Sequence, residues 1–392
     1  MSNKTKLPDG WRWEKLGCIF ELKYGTGLSK DYRKEGPVPV FGSNGVVGYH
    51  SEAITKGKTI IIGRKGSAGK VVWSNTACWP IDTTYFVDEL RIDCDLRFLY
   101  YLLKFLNLTE LDKSSAVPGL NRDDVYAILI PLPSTIDDQI AIATELERKM
   151  TEVEKMRRAA LRQKEAIKAM QGAILREVFP YKVGDKLPDG WRWEKIDDLC
   201  NVQSGGTPLS SNQEYYGGDI KWAITEDLTR VKIYIDDTLT KITPLGLENS
   251  TARLFPEDTV LFAMYGSIGR CAITKVPMAT NQAILGLMPK DKRELNSQYL
   301  YFCLFHGKNN LIKQGRTGTQ KNINAEIVKN FEILLPSTID DQIAIATELE
   351  RKMAEIDKLR HAADNQLEAV EALPGAILRE VFDFEEKIYG LK

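Results

Sequence analysis

The sequence predicts an α+β fold: two globular domains of mixed α/β content, separated by two long antiparallel helices that resemble a coiled coil, with a pseudo-two-fold internal repeat. Two observations support this prediction. Blocks of sequence recur without change, and a variable block is followed by a helical block twice over. The boundaries place the globular domains at 1–131 and 184–334, and the helical regions at 132–183 and 335–392.

Three blocks occur twice in the 392 residues, and the globular domains between them are distant copies. The repeated blocks are LPDGWRWEK at Leu7–Lys15 and Leu187–Lys195, LPSTIDDQIAIATELERKM at Leu132–Met150 and Leu335–Met353, and GAILREVF at Gly172–Phe179 and Gly375–Phe382. Each domain carries a Gly-Ser-x-Gly turn followed by a basic residue, at Gly66–Lys70 and Gly266–Arg270. The offset between corresponding residues rises from 180 at Gly25 to 203 at Asn121, so the second domain is 23 residues longer.

Each helical block carries apolar residues at steps of three, four or seven, which is the seam of a long helix that packs against another helix. Ser or Thr at 134–135 and 337–338 predicts the N-cap of each helix, and an Asp pair follows in the positively polarised first turn. Each helix would be about 60 Å long if continuous. The seam residues are Leu146, Met150, Val153, Ala160, Ile167 and Ile174, then Leu349, Met353, Ile356, Ala363, Val370 and Ile377.

Proline marks the expected ends of these helices. Pro180 ends the first block, and Pro374 precedes the last turns of the second, where we predict a break. The globular domains are rich in β-branched and aromatic residues separated by turn residues, as short strands are. We predict strands at Thr59–Ile62, Lys70–Trp73, Thr84–Val87, Thr259–Phe262 and Cys271–Thr274, and short helices at Arg97–Leu106 and Gln298–Phe305.

The charge of the chain does not by itself indicate a polyanionic ligand, because the net charge is −1. Residues 1–131 carry 18 Lys and Arg against 15 Asp and Glu, a net of +3, and residues 187–334 carry 17 against 17. Binding to nucleic acid would therefore depend on local basic patches. No apolar run approaches the ~20 residues of a membrane span, and the N-terminal sequence lacks an apolar secretion signal. We expect a cytoplasmic protein that has no membrane partner.

The sequence lacks the motifs of common catalytic sites. Its six cysteines are scattered without a CxxC pair, and its three histidines are far apart, which argues against the clustered ligands of a metal site. Gly63–Lys70 resembles a phosphate loop but fails the G-x-x-x-x-G-K-[ST] spacing. No [N/D]PP[Y/F], H-E-x-x-H or G-x-S-x-G motif is present. This profile favours recognition over catalysis.

With these features the chain resembles the specificity (S) subunit of type I restriction–modification systems over nearly its whole length. The resemblance rests on the alternation of domains and helices, on LPDGWRW at each domain start, on the Gly-Ser-x-Gly turn, and on Q-x-x-I-A-x-x-L opening each helix. It implies a subunit without catalytic activity, whose two target-recognition domains each read one half of a bipartite duplex DNA sequence. The paired helices would set the separation of the half-sites.

The resemblance also implies partners. Two copies of a modification subunit would dock on the helices and methylate adenine, and restriction subunits would then join. We expect no cofactor on this chain, and S-adenosylmethionine, ATP and Mg on the partner subunits. The identical helix starts fit two identical partner copies, although recent duplication would also leave them identical. The expected partner-binding residues are Asp137, Asp138, Glu145 and Arg148, with Asp340, Asp341, Glu348 and Arg351.

Candidate DNA-contacting residues lie in turns and polar loops, where each also has a structural explanation. Basic residues could contact phosphates or guanine, or could be solvated surface, and Asn and Gln could pair with adenine or cap a turn. We favour phosphate contact for the basic loop at 313–322. The candidates are Arg64, Lys65, Ser67, Lys70, Thr83, Asn121 and Arg122 in the first domain, and Tyr265, Ser267, Arg270, Asn281, Gln282, Lys313, Arg316, Gln320, Lys321 and Asn322 in the second.

Trp11, Trp13, Trp191 and Trp193 are identical in both domains and so cannot distinguish two half-sites; we expect them to anchor each domain to the helices. The sequence is also compatible with two other functions. A coiled-coil protein–protein scaffold with two binding modules and no DNA role would explain the helices, but not why the modules diverge while the spacer is unchanged. An enzyme with an unrecognised active site is opposed by the scarcity of histidine.

Overall fold

The computed structural model describes residues 7–111, 119–316 and 323–384 and divides into two compact units. Unit 1 is Met1–Arg162 with Asp364–Lys392, and unit 2 is Gln163–Ala363. Each unit contains one globular domain of mixed strands and short helices, together with segments of both long helices. The predicted α+β fold with an internal repeat is therefore confirmed.

Unit 1 contains a four-stranded sheet, a three-stranded sheet and a two-stranded ribbon. The sheets have the orders β2-β8-β5-β6, β4-β3-β7 and β1-β9. The elements are β1 (Trp11–Lys15), α1 (Leu16–Ile19), β2 (Lys23–Tyr24), β3 (Val38–Gly42), β4 (Gly45–His50), β5 (Thr59–Gly63), β6 (Val71–Ser74), β7 (Trp79–Pro80), β8 (Thr84–Val87), α2 (Leu96–Phe105), α3 (Arg122–Tyr126), β9 (Leu129–Pro133) and α4 (Ile136–Val178), with 3₁₀ turns at Lys30–Tyr32 and Leu108–Leu111.

Unit 2 repeats this plan with larger sheets. Their orders are β11-β19-β16-β17-β13, β14-β12-β18-β15 and β10-β20. The elements are β10 (Arg192–Lys195), α5 (Ile196–Leu199), β11 (Cys200–Ser204), β12 (Tyr216–Ala223), α6 (Thr225–Arg230), β13 (Tyr234–Ile235), β14 (Thr240–Ile242), α7 (Pro244–Glu248), β15 (Leu254–Phe255), β16 (Val260–Ala263), β17 (Cys271–Thr274), β18 (Met278–Thr280), β19 (Ile284–Pro289), α8 (Ser297–Arg316), α9 (Ala325–Lys329), β20 (Glu332–Leu335) and α10 (Ile339–Phe382), with a 3₁₀ turn at Gln213–Tyr215.

The five predicted strands are all confirmed to within one residue, because each is a short β-branched run between turn residues. The predicted helix at Arg97–Leu106 is α2, shifted by one residue. The helix predicted at Gln298–Phe305 is much longer, since α8 continues to Arg316. Polar residues in its second half suggested a loop, but one face of that half packs in the core through Leu311.

The predicted caps of the long helices are present. Thr135 Oγ1 accepts the backbone N–H of Asp138 at 3.2 Å, and Thr338 Oγ1 accepts that of Asp341 at 3.1 Å. Each threonine hydroxyl also donates to the carboxylate of the same aspartate. These bonds satisfy N–H groups that a helix start otherwise leaves without a partner.

A buried glutamine in each repeated helix start joins the long helix to its own domain. Gln139 Oε1 accepts the backbone N–H of Asp95, the N-cap residue of α2, at 2.8 Å. Gln342 Oε1 accepts the N–H of Asn296 at 3.0 Å, directly before α8. Both glutamine side chains are almost fully buried. An equivalent bond therefore attaches the long helix to the helix that follows the main sheet in both units.

The predicted break at Pro374 is wrong, because α10 is helical from Ile339 to Phe382. A proline inside a helix removes one backbone hydrogen bond and crowds the preceding turn. Beyond the proline, Leu378 and Phe382 are buried in the unit 1 core, with Ile377 packed beside them. Burial of these apolar side chains offsets the lost bond, a tertiary effect that the local sequence does not contain.

The long helices run antiparallel within each unit. In unit 1, Lys149 pairs with Glu380 at 3.3 Å, and Arg157 pairs with Glu371 at 3.7 Å. Residue numbers therefore increase along α4 in the direction in which they decrease along α10. In unit 2, seam residues of the two helices form an apolar cluster. The buried members of that cluster are Ile167, Ile356 and Ala363.

The last turns of each long helix complete the core of the domain that belongs to the other repeat. Phe382 at the end of α10 is 5.5 Å from Phe98 and 5.7 Å from Phe105, between ring centroids, in unit 1. Phe179, directly after α4, packs in unit 2 at 5.9 Å from Tyr299 and 5.1 Å from His306. The partners occupy corresponding positions of α2 and α8. The repeated GAILREVF block is therefore the docking element, and we call its two contacts the helix-end joints.

The repeated LPDGWRWEK blocks lie at the same joints. Trp11 contacts Phe384 at 5.2 Å, and Trp191 contacts Tyr181 at 6.4 Å, between ring centroids. Phe384 lies two residues beyond the end of α10, and Tyr181 lies three residues beyond the end of α4. Strands β1 and β10, which form the second part of each block, pair with the strands that lead into the long helices. Trp11 also packs on the core that contains Leu378 and Phe382 of α10, so its predicted anchoring role is confirmed. For Trp191 the contact is with the segment that follows α4, and anchoring onto the helix itself stays a prediction.

Removing a joint aromatic should destabilise one unit selectively. Phe382 is 1% exposed, so Phe382→Ala leaves a cavity and should cost about 3–5 kcal/mol of unfolding free energy. Hydrogen exchange should rise in unit 1 alone, and Phe179→Ala should give the opposite distribution. Leu359, 45% exposed, is the control, since Leu359→Ala should change stability by less than ~0.5 kcal/mol. Equal exchange in both units for either joint variant would contradict this assignment.

The thiols should differ sharply in reactivity. Cys18 is exposed and the other five cysteines are buried. Burial raises the pKa of Cys94, Cys200 and Cys271 to about 12, and the thiolate is the reactive form. At pH 8, Ellman's reagent should therefore label one thiol per native chain, and Cys18→Ser should abolish this fast phase. A second fast thiol in the native protein would disagree with this structure.

Candidate functional site

The glycine turns of the two units have the same hydrogen-bonded conformation. In the first glycine turn, 63–70, the N–H of Gly63 donates to Lys70 O and the N–H of Gly69 to Gly63 O, both at 2.8 Å. In the second glycine turn, 263–270, the equivalent bonds join Ala263 to Arg270 at 2.9 Å and Gly269 to Ala263 at 2.8 Å. Both turns place two glycines at positive φ, so the predicted correspondence between the domains is confirmed.

Close packing explains the last glycine of each turn. A Cβ on Gly69, whose φ is +79°, would lie 2.3 Å from the carbonyl carbon of Leu108. A Cβ on Gly269 would meet the side chain of Lys308 at 2.6 Å. Lys308 therefore brings a further cation to the second glycine turn. Sequence reasoning missed it because Lys308 lies on α8, remote in the chain.

The glycine turn and the loop before the next strand form one sheet edge in each unit, which we call the loop edge. In unit 1, Thr83 O accepts the N–H groups of Arg64 and Lys65, at 2.9 and 3.1 Å. In unit 2, Ala283 O accepts the N–H of Met264 at 2.8 Å. Antiparallel pairing of β5 with β8, and of β16 with β19, brings these segments together. Candidate residues from both segments are thus neighbours in each unit.

Two arginines and two tyrosines form the first loop edge. The guanidinium carbons of Arg64 and Arg122 lie 5.3 and 4.8 Å from the ring centroid of Tyr24. Tyr24 also contacts the ring of Tyr85 edge-on at 5.1 Å. Burial, and then the neighbouring Tyr24, raise the pKa of Tyr85 to about 12, so its phenol stays protonated at neutral pH. Tyr24 was not among the predicted residues, although it directly precedes Gly25.

The other candidate DNA-contacting residues of the first domain differ in whether their side chains make hydrogen bonds within the protein. Lys65 and Ser67 are exposed and have no side-chain hydrogen bond within the described residues. Lys70 Nζ donates to Asn44 Oδ1, in the turn between β3 and β4. Asn121 Oδ1 accepts the N–H of Asp123 at 2.9 Å and caps α3. The structural explanation therefore accounts for Asn121 without a ligand.

The second loop edge presents mainly neutral polar groups. Asn281 Oδ1 accepts the N–H of Ala283 at 3.2 Å, and Gln282 Oε1 accepts the hydroxyl of Thr207. Tyr265 and Arg270 are exposed on the glycine turn beside them, and the remaining candidate there, Ser267, is half-buried. Thr207 was missed because its link to Gln282 spans 75 residues. The two loop edges have the same backbone conformation but present different side chains.

The predicted basic loop at 313–322 is partly helical. Lys313 lies on α8 rather than in a loop, and Arg316 is the last residue of that helix. Lys313 lines a cavity of about 710 Å³ together with Phe179 and His306, at a helix-end joint. Gln320, Lys321 and Asn322 lie outside the described residues.

The expected partner-binding residues have matching geometry on both long helices. Arg148 makes two bonds to Glu145, at 2.8 and 2.7 Å, and Arg351 makes two to Glu348, at 2.8 and 2.6 Å. In both pairs the guanidinium lowers the pKa of the glutamate. Asp138 and Asp341 are engaged in the threonine caps. Asp137 and Asp340 are exposed beside them.

A family model described as type I restriction modification DNA specificity domain matches residues 8–163 and 188–369. The chain belongs to this family. Each matched stretch contains one globular domain with its glycine turn and much of the helix that follows. The family therefore accounts for both halves of the internal repeat, and we call the two globular domains specificity domains.

Curated relatives are specificity subunits of type I restriction enzymes. The MjaIX subunit of Methanocaldococcus jannaschii is 34% identical over 205 residues, 51% of this chain and 46% of that protein. The HindI subunit of Haemophilus influenzae is 27% identical over 155 residues, 38% of this chain and 33% of that protein. The matches thus span less than half the length of these relatives.

Solved structures share the fold of the specificity domains. A chain from a study of complex assembly and conformational transition of the type I R-M system gives a TM-score of 0.77 at 20% identity, covering 96% of this chain and 98% of that one. The HsdS subunit from Thermoanaerobacter tengcongensis gives 0.56 at 22% identity, covering 97% and 98%.

The specificity domains and their helices offer no resident metal site within 7–111, 119–316 and 323–384, where we find no group of His, Cys, Asp or Glu that could hold an ion. Over the same ranges, none of the helices combines the length and apolarity that crossing a membrane requires.

Alanine substitutions at two glycines of the first specificity domain can distinguish the cost of backbone strain from the cost of a packing clash. Gly10 and Gly69 have similar φ values, +82° and +79°, but a Cβ on Gly10 would meet nothing within 4 Å. Gly10→Ala should therefore cost about 1–2 kcal/mol of unfolding free energy for the conformation alone. Gly69→Ala should cost about 1–3 kcal/mol more, because it also clashes with backbone. Urea unfolding tests this; equal losses would refute the packing explanation.

Proposed function

We propose that this chain is a DNA-specificity subunit that reads a bipartite duplex target, with one half-site for each specificity domain. The observation that carries the proposal is the pair of loop edges. The same backbone turn and loop recur in both units while the side chains they present differ. Two domains with the same scaffold and different side chains are suited to binding the same type of ligand, duplex DNA, at two different base sequences.

The first loop edge has the chemistry of a nucleic-acid contact. Arg64, Arg122 and the exposed Lys65 supply cations for phosphates or guanine edges. The ring of Tyr24 lies beside both arginines, which restricts their orientation before DNA arrives. A pre-oriented guanidinium loses less side-chain entropy on binding.

The second loop edge favours a different base pattern. Gln282 and Asn281 are amides, which can make paired hydrogen bonds to adenine in the major groove. Arg270 and Lys308 lie at the adjacent turn and are suited to phosphates. To read a base, Gln282 would exchange its bond to Thr207 for a bond to DNA.

The long helices would recruit the subunits that act on the DNA. Their identical starts suit two copies of a modification subunit, docking against Glu145–Arg148 and Glu348–Arg351 with the aspartates beside them. Restriction subunits would join this assembly. The chain itself would supply recognition without catalysis, and S-adenosylmethionine, ATP and Mg would be bound by its partners.

A methylome comparison tests this function directly. Deleting the gene in cells that express the modification subunit should remove adenine methylation at one bipartite motif. Restoring the gene should restore that motif. An unchanged methylome would contradict the proposal and favour a protein–protein scaffold, which should also show no salt-dependent affinity for duplex DNA.

Substitutions on the two loop edges should affect different half-sites. In the assembled complex, Arg64→Ala and Arg122→Ala should each weaken binding and reduce the salt slope by about 1 if they contact phosphates. If either reads guanine, it should cost about 1–3 kcal/mol and relax one base position of the first half-site only. Arg270→Ala should leave first-half-site preferences unchanged. Loss of preference in both half-sites from any single variant would contradict independent reading.

A further inference from the structure

The two units differ at one edge of their main sheets. In unit 2, β13 pairs with β17 and forms the edge of a five-stranded sheet. In unit 1, the counterpart of β17 is β6, which is itself the edge strand of a four-stranded sheet. Strand β13 belongs to a stretch that the first domain lacks, because the offset between corresponding residues rises from 180 at Gly25 to 200 at Gly66. Within the described residues, no strand pairs with the outer edge of β6.

Strand β13 and the two residues before it, Lys232 and Ile233, are held by the sheet and by both neighbouring helices. The backbone N–H of Ile273 on β17 donates to Ile233 O at 2.7 Å. The Tyr301 hydroxyl on α8 donates to Lys232 O at 2.9 Å. The Lys232 ammonium pairs with Asp357 on α10 at 2.8 Å. An extended segment thus fills the space between sheet, α8 and α10.

A second side chain of this segment points to the same helix. Burial, and then the neighbouring Glu350 carboxylate, raise the pKa of Tyr234. Glu350 lies on α10, two turns before Asp357. Three residues, Tyr301, Glu350 and Asp357, therefore define the surface that the segment covers.

In unit 1 the counterparts of these three residues are Tyr100, Glu147 and Glu154. All three line an open groove of about 670 Å³ between α2 and the long helices, which we call the α2 groove. Trp73 of β6 contacts the Tyr100 ring at 5.5 Å, so the groove adjoins the unpaired sheet edge. Among the described residues of unit 1, no segment occupies the position that β13 fills in unit 2.

The α2 groove carries more positive charge than its counterpart. Arg97 Nε and Nη1 are buried and have no hydrogen-bond acceptor within the described residues, although Nη2 donates to Glu147. The guanidinium carbon of Arg97 lies 4.5 Å from the ring centroid of Trp73, so this cation is held in the wall of the groove beside β6. At three positions the groove has Arg or Lys where unit 2 has neither, namely Arg97, Lys104 and Arg158 against Gln298, Phe305 and His361.

We propose that the α2 groove and the edge of β6 bind an extended segment of a partner protein, which adds a strand to the first specificity domain as β13 does in the second. The segment would combine alternating apolar residues with acidic ones. Backbone bonds to β6 would give affinity, and the cations of the groove would select the acidic side chains. This inference does not depend on DNA recognition.

The asymmetry determines stoichiometry. The identical helix starts suit two copies of a partner, whereas the α2 groove occurs open in one unit and filled by β13 in the other. A protein that binds through this groove therefore binds once per chain. This gives an assembly with a pseudo-two-fold repeat a means of holding a single copy of a component.

The test uses the full chain and the fluorescent peptide Glu-Glu-Lys-Ile-Tyr-Ile-Asp, which adds an acidic pair to the sequence of residues 232–236. We expect saturable anisotropy with one peptide per chain, and slower hydrogen exchange in 71–75. The triple variant Arg97→Gln, Lys104→Phe, Arg158→His should weaken binding by at least about tenfold. Lys358→Gln, at an exposed position on α10 in unit 2, is the matched control and should bind normally.

Backbone methylation of the peptide distinguishes strand addition from charge attraction. Methylating the isoleucine and tyrosine nitrogens removes donors without changing charge, so affinity should fall at least about tenfold if a strand is added. Equal binding of the methylated peptide, equal binding by the triple variant in its folded state, or no binding at all would overturn the proposal. Residues 385–389 of the chain are Glu-Glu-Lys-Ile-Tyr, the same as the first five residues of the peptide. Binding only after deletion of residues 385–392 would therefore also overturn the proposal, by assigning the groove to the chain itself.

Discussion

The helix-end joint is the interaction on which the rest of this structure depends. Each specificity domain has an apolar core that includes Leu and Phe side chains from the helix end of the other repeat, Leu378 and Phe382 in unit 1 and Leu175 and Phe179 in unit 2. Neither domain therefore buries its full core from its own half of the chain. The antiparallel course of the helices is a consequence, because each must end where the other begins.

The joint also separates what is constant in the chain from what varies. The three repeated blocks supply helix starts, helix ends and the strands beneath them, and these meet at the joints. Gln139 and Gln342 add the same buried bond in both units. The loop edges belong to none of the repeated blocks. Side chains on a loop edge can thus differ between domains without disturbing the packing that holds each domain to the helices.

The extra residues of the second domain change its surface without changing this plan. They include β13, which covers a sheet edge and the surface between α8 and α10. In the described part of the first domain, the equivalent edge of β6 has no partner strand, and Arg97 and Lys104 lie beside it. An internal repeat therefore provides two equivalent attachments and, in one unit only, an additional surface.

The sequence by itself determined the repeat, the alternation of domains with helices, the helix caps and the buried strands, because each depends on local pattern and capping chemistry. It also identified the glycine turns, since a turn at positive φ requires glycine at fixed spacing. The tertiary structure alone decided which side chains meet at a loop edge, so that Tyr24, Thr207 and Lys308 were missed. It also carried α10 through Pro374 and extended α8, because burial against a distant segment outweighs a local preference for a break or a loop.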